Sequence, residues 1–100
     1  MAIVHPIDTI VSDPNIRDGQ HLIAGTQIRV TDIVASHLYR GLSPDALAVN
    51  FTLNLGQVYA ALAYYYQHKA DIDAQMRANA EQAEQLREQL DAQGKLTRLD

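Results

Sequence analysis

Two helix boundaries stand almost back to back near the middle of this chain, and they restrict its fold more than any other feature. Gly41 reads as the end of one helix, free to take the left-handed C′ conformation. Ser43-Pro44-Asp45 reads as the start of the next: Ser43 caps, Pro44 suits the first helical position, and Asp45 complements the helix dipole. Upstream, Thr31 is expected to cap a helix with Asp32 in its first turn and Ile33, Val34, His37 and Leu38 at helical spacing. Downstream, Ala46, Leu47 and Val49 make the apolar side of a short helix that Asn50 closes in a left-handed conformation. Phe51-Thr52-Leu53 then reads as a linker, and Asn54 as the cap of a third helix. The buried stripe of that helix is predicted at Leu55, Val58, Leu62 and Tyr65 or Tyr66.

Three helices over Val30–Lys69, the second very short and the third reached by a tight four-residue connection, match a helix-turn-helix pattern. A generic three-helix bundle fits the same spacing equally well. Residues 1–29 read as short extended pieces broken by turns. Ile7–Val11 is a strand, Asp13-Pro14-Asn15 and Arg17-Asp18-Gly19-Gln20 are turns, and Leu22–Val30 is two short strands or one ribbon bent at Gly25. Residues 71–93 read as a last helix, opened by Asp71 and Asp73 and uninterrupted by Gly or Pro until Gly94. Its stripe is thin: Ile72, Met76, Ala80, Ala83, Leu86 and Leu90, with Glu84 and Arg87 placed for an i,i+3 pair. A helix so poor in apolar surface is marginal alone and suits a partner-dependent segment. The predicted fold class is therefore mainly α. It is a helix-turn-helix, winged-helix-like domain with a short N-terminal β element (residues 1–70) and a C-terminal extended, charged helix (residues 71–100).

With 100 residues, the chain fits one domain plus an extension, and a domain this small often gains stability by oligomerising. It has no cysteine and no stretch of about 20 apolar residues, so a soluble, cytoplasmic protein is expected. The net charge is −4: four cations against five acids in residues 1–70, and four against seven in residues 71–100. Neither part is a polybasic patch, so an isolated monomer should bind DNA weakly.

His5, His21, His37 and His68 stand in separate elements without metal-ligand spacing, and no nucleophile triad or phosphate-cradling glycine loop is present. The chain is expected to be no enzyme and to need no metal or cofactor. Of the five tyrosines, Tyr59, Tyr64, Tyr65 and Tyr66 crowd the third helix, and three in a row must leave one facing out. Tyr59 and Tyr66, seven apart, should face one way while Tyr65 packs on the core. A protein interface suits the outward ones better than a phosphate does. In helix-turn-helix docking the early exposed positions of the third helix reach base edges. Here the candidates are Thr52, Asn54, Gln57 and Tyr64, with Ala61 further along, while Arg40, His68 and Lys69 are placed for phosphate.

The ordered series Ile10-Val-Ser-Asp-Pro-Asn-Ile, Leu22-Ile-Ala-Gly-Thr-Gln-Ile-Arg-Val, Asp32-Ile-Val, Gly41-Leu-Ser-Pro-Asp and Leu55-Gly-Gln-Val-Tyr-Ala-Ala-Leu-Ala-Tyr-Tyr-Tyr resembles the DUF433 family over roughly residues 7–75. Two departures stand out. Asp18-Gly19-Gln20-His21 replaces the family's Gly-Gly-x-Pro, and Gly25-Thr26-Gln27 replaces Gly-Thr-Arg, removing a cation. The resemblance implies a dimeric, VapB-like antitoxin of a toxin–antitoxin pair whose toxin is PIN-like (DUF5615), a ribonuclease, with operator DNA as a second partner. Toxin contacts then fall to Ile72, Met76, Arg77, Ala83, Leu86, Arg87 and Leu90. A basic side chain could neutralise the clustered carboxylates of such a nuclease, with Arg87 the most central of Arg77, Arg87, Lys95 and Arg98. Truncation after Asp73 is expected to keep the fold and lose the toxin. The alternative is a protein-interaction module without DNA binding.

Overall fold

The computed structural model describes residues 1–92. Four helices follow a small β element, in the order β1 (Ile10–Val11), β2 (Leu22–Ile23), α1 (Val30–Arg40), α2 (Pro44–Phe51), α3 (Leu55–Gln67) and α4 (Lys69–Ala92). Mainly α with a short antiparallel β pair and a long last helix is the architecture expected from the sequence. Lys95, Arg98 and the expected helix end at Gly94 lie outside the described residues.

Capping explains the helix boundaries. Ser43 Oγ accepts from Ala46 N–H at 3.2 Å, and Pro44 opens α2. Gly41 takes φ 70° at the end of α1, and its N–H bonds back to the Ser36 carbonyl. His37 Nδ1 donates to the Leu42 carbonyl at 2.8 Å and ties this corner down. An added Cβ at Gly41 would meet nothing within 4 Å, so the cost of a side chain there is that of the backbone alone. Gly41→Ala is therefore expected to destabilise by about 1 kcal/mol, read from chemical denaturation. Asn54 and Gln57 cap α3 reciprocally: Gln57 N–H donates to Asn54 Oδ1 (2.8 Å) and Asn54 N–H to Gln57 Oε1 (2.9 Å).

Several boundaries move. Helix α1 begins at Val30 with Arg29 as its cap residue, because the Asp32 carboxylate reaches back to the Arg29 N–H (3.0 Å) and holds its guanidinium at 2.8 Å. Thr31, expected as the cap, is buried inside the helix. Helix α2 runs on through Phe51, which rests against the core, so Thr52 rather than Asn50 takes the left-handed conformation (φ 56°). The connection to α3 shrinks to Thr52-Leu53-Asn54, and the two helices meet at 115°, within the range of helix-turn-helix units. The strand expected over Ile7–Val11 reduces to Ile10–Val11, in register with Ile23 and Leu22. The ribbon bends at Gly25 (φ 78°), after which a single bridge pairs Leu22 with Arg29. The turn at Asp13 forms as expected, with Asn15 N–H on Asp13 Oδ1 at 2.9 Å.

The core gathers Ile23, Val30, Ile33, Val34, Leu47, Val58, Ala61, Leu62, Tyr65 and Ile72. Each large aliphatic side chain there contributes roughly 1.5–3 kcal/mol by leaving water. Ile72 carries α4 into this core, so the first turns of α4 pack with the domain across the expected boundary at residue 70. Among the described residues, no single helix is long and apolar enough to cross a membrane.

Candidate interaction surfaces

Helix α4 has two halves with different surroundings. The first half is docked through Ile72 and Met76 and through a polar seam to residues far away in sequence. Asn79 and Gln20 exchange amide hydrogen bonds at 2.9 and 3.1 Å, and Asn79 Nδ2 reaches Thr31 Oγ1 at 3.4 Å. Gln75 Nε2 lies 3.1 Å from His21 Nδ1, while Gln75 Oε1 is buried without a partner among the described residues. Such an orphaned oxygen weakens the seam by its desolvation. Near the helix start, Asp73 accepts from Tyr65 Oη and from Lys69 Nζ, both at 2.9 Å.

These bonds shift the groups involved. Lys69 and then Tyr65 hold the Asp73 carboxyl below its ordinary value of 3.8, and the same carboxylate raises Lys69. Burial, then the hydrogen bond to Asp73, raises the Tyr65 phenol. A lowered carboxyl pKa stabilises the fold above its unfolded value, and that contribution is lost as pH falls through the folded one. The stability difference between wild type and Asp73→Asn, measured by urea unfolding, is thus expected at neutral pH and to vanish as the solution is acidified below about pH 4.

Beyond Ala80 the second half of α4 leaves the domain. Residues 81–89 are all exposed, Leu86 at 56%. The expected Glu84–Arg87 pair is not formed: among the described residues the ion pairs are Arg29–Asp32 and Lys69–Asp73. Exposed helix pairs gain too little to hold two long side chains together. The residues expected to touch a toxin therefore separate. Ile72 is fully buried and Met76 half-buried, so they dock the helix, whereas Arg77, Ala83, Leu86 and Arg87 are exposed. Leu90 is half-buried. Where α4 diverges from α1, a groove lined by Leu38, Tyr39, Met76, Arg77 and Ala80 opens beside its base.

The residues expected to touch DNA are drawn into local structure. Asn54 and Gln57 commit their amide oxygens to capping, which removes the free acceptor a bidentate adenine contact uses. Tyr64 turns inward between two imidazoles, its centroid 5.0 Å from that of His21 and 4.1 Å from that of His68. Burial and then the negative charge of Asp71 raise its phenol pKa. His68 caps the C-terminus of α3, its Nδ1 donating to the Tyr64 carbonyl at 3.1 Å. Lys69 is paired with Asp73 and lies 5.6 Å over the Tyr65 ring. Ala61 is fully buried. Thr52 and Arg40 remain exposed, Arg40 as the last residue of α1 and Thr52 just after α2.

What faces outward from α3 is another set. Leu55, expected in the core, is exposed at 43%, with Tyr59 at 56% and Tyr66 at 60%. Ala63 is exposed between them. This apolar face was legible in one respect: Tyr59 and Tyr66 fall together, as their seven-residue spacing requires, while Tyr65 packs on the core. The signal that goes further is that α3 is apolar on nearly every side. Val49 of α2, expected inward, is likewise exposed, because α2 turns Leu47, Ala48 and Phe51 to the core instead. Among the described residues no three histidine or acidic side chains converge as a metal site.

A family profile matches residues 10–65: that of DUF433, described as a protein of unknown function. The match runs from β1 to Tyr65 and stops before α4. No curated protein and no solved structure matches the chain.

Proposed function

The chain belongs to the DUF433 family, and from that premise we propose that it acts as the antitoxin of a PIN-like (DUF5615) nuclease, holding its partner with the free half of α4. The observation that carries this reading is the second half of α4 itself. From residue 81 on it presents Ala83, Leu86 and Arg87 to solvent on a helix already anchored at its other end. Anchoring lowers the ordering cost that a free helix of this composition would bear on binding. Arg87 is unpaired among the described residues, so its guanidinium is available to a cluster of nuclease carboxylates, to which it would bond bidentately.

This reading assigns α3 no base-reading role. Its thirteen residues carry no cation, and its exposed positions are Leu55, Gly56, Tyr59, Ala63, Tyr66 and Gln67. Phosphate neutralisation supplies most nucleic-acid affinity, so a protein-interaction module accounts for this face better than a repressor does.

The test is an RNA-cleavage assay with a purified PIN-like nuclease and the full chain. Stoichiometric inhibition is expected. Arg87→Ala should weaken it about 10–100-fold, the loss that accompanies removal of a charged hydrogen-bond partner. A nuclease left fully active by a large excess of the chain overturns the proposal. In a gel shift with the DNA upstream of the chain's own gene, no band should move at physiological salt, and a specific shift would restore the repressor role.

A further inference from the structure

We propose that the free half of α4 inhibits by standing in for RNA: its row of carboxylates occupies the cations that line the partner's RNA-binding cleft. The inference rests on the antitoxin reading for the identity of the partner and adds the mode of inhibition.

Charge divides along α4 at the point where the helix leaves the domain. The docked residues 69–80 hold Lys69 and Arg77 against Asp71 and Asp73. Residues 81–92 hold Glu81, Glu84, Glu88 and Asp91 against Arg87 alone, so most of the chain's net −4 sits on the projecting segment. These acids are three, four and three residues apart, which sets them in one row along the helix. All are exposed, and among the described residues none is in an ion pair. Like charges at this spacing weaken a helix. A solvated helix is better served by alternating signs, so the row burdens the isolated fold and a cationic occupant relieves it.

A second row calls for a cleft rather than a flat surface. Ile72, Met76, Asn79, Ala83, Leu86 and Leu90 follow one another at alternating four- and three-residue steps. The first three dock on the domain, and Ala83 and Leu86 carry the same line into solvent. This line and the acidic row lie on nearly opposite sides of the helix. An occupant that meets both encloses α4, with cations on one wall and an apolar surface on the other. Nucleic acid and anionic lipid are repelled by the acids, which leaves a basic protein cleft as the occupant.

Spacing agrees with a phosphate-binding wall. From Glu81 to Asp91 the helix rises about 15 Å, or about 5 Å per charge. Phosphates of one strand follow at about 3.4 Å along a duplex axis, a density of the same order. The flexible stems of lysines take up such a difference. Arg87 adjoins the row and meets the nuclease carboxylates in the same cleft.

Initial rates of RNA cleavage by the purified PIN-like nuclease, measured against RNA concentration with the full chain present, test this. Apparent KM should rise with kcat unchanged, because RNA and α4 compete for one cleft. The double variant Glu84→Gln, Glu88→Gln removes charge and keeps shape. It should weaken inhibition about tenfold at low salt, with far-UV circular dichroism unchanged. That difference should shrink above about 0.5 M salt, where screening weakens the wild-type contacts too. Asp8→Asn, which removes an exposed acid from the N-terminal arm, should leave inhibition as it is. Inhibition that lowers kcat at constant KM overturns the inference, as does full inhibition by the double variant at low salt; either result leaves the antitoxin reading standing. A wild-type chain that does not inhibit removes the antitoxin reading and this inference with it.

Discussion

Cutting the chain after Ala80 is expected to leave a folded domain that no longer inhibits a PIN-like nuclease. The cut keeps Ile72, Asp73, Gln75, Met76 and Asn79, which are the side chains that dock α4 to the β element, α1 and α3. It removes Ala83, Leu86, Arg87 and Leu90. About 18 Å of helix is lost, at 1.5 Å per residue over residues 81–92. If Leu86 and Arg87 are the anchors, each is worth at least about 2 kcal/mol of binding. Affinity should then fall by nearly three decades, about 700-fold, since each 1.4 kcal/mol is a factor of ten. Isothermal titration with the nuclease reads the loss, and circular dichroism reads the intact fold. Full inhibition by the truncated chain would place the partner on the globular part and overturn the α4 reading. The cut after Asp73 that the sequence suggests is a poorer experiment. It also deletes Met76 and the Gln75 and Asn79 bonds, so lost binding could not be separated from lost docking.

The second large effect is Ile72→Ala, expected to destabilise the chain by about 2–5 kcal/mol. Ile72 is fully buried in the cluster that also holds Val34, Leu62 and Tyr65. Truncation removes its burial energy and leaves a cavity that the neighbouring helices fill only in part. For a domain with total stability near 5–15 kcal/mol this is a substantial fraction, and the melting temperature should drop by roughly 10–20 °C. Ile72→Val, which removes one methylene, should cost about 0.5–1.5 kcal/mol. Thermal unfolding followed at 222 nm compares the three. A change below about 1 kcal/mol for the alanine variant would show that α4 is held by its polar seam instead.

Local signals were read from the sequence where they act over a few residues. Ser43-Pro44 and Asn54 cap as their chemistry dictates, and Gly41 ends α1 in the left-handed conformation. Thr31 resembles a cap, but Asp32 caps from the third helical position and so moves the start upstream. Leu55 and Val49 face solvent and Ala61 faces the core, opposite to what spacing indicates, because a polar side, which marks the outside of an amphipathic helix, is nearly missing from α2 and α3. Asn54, Gln57 and Tyr64 resemble recognition residues by position, yet their polar atoms and ring are held by neighbours within the fold.

The back-to-back boundary at Gly41 and Ser43-Pro44 follows from the sequence alone, and with it the number and order of the central helices, whereas the start of α1 and the end of α2 lie elsewhere than the sequence indicates. Such caps work through hydrogen bonds between residues three or four apart, which any local chain can form. Two matters needed the tertiary structure. One is how far α4 is anchored, because its seam joins Gln75 and Asn79 to His21 and Gln20 across more than 50 positions of sequence. The other is which side of α3 remains uncovered, because burial depends on what packs against a helix, and a helix apolar all round does not declare that in its own residues.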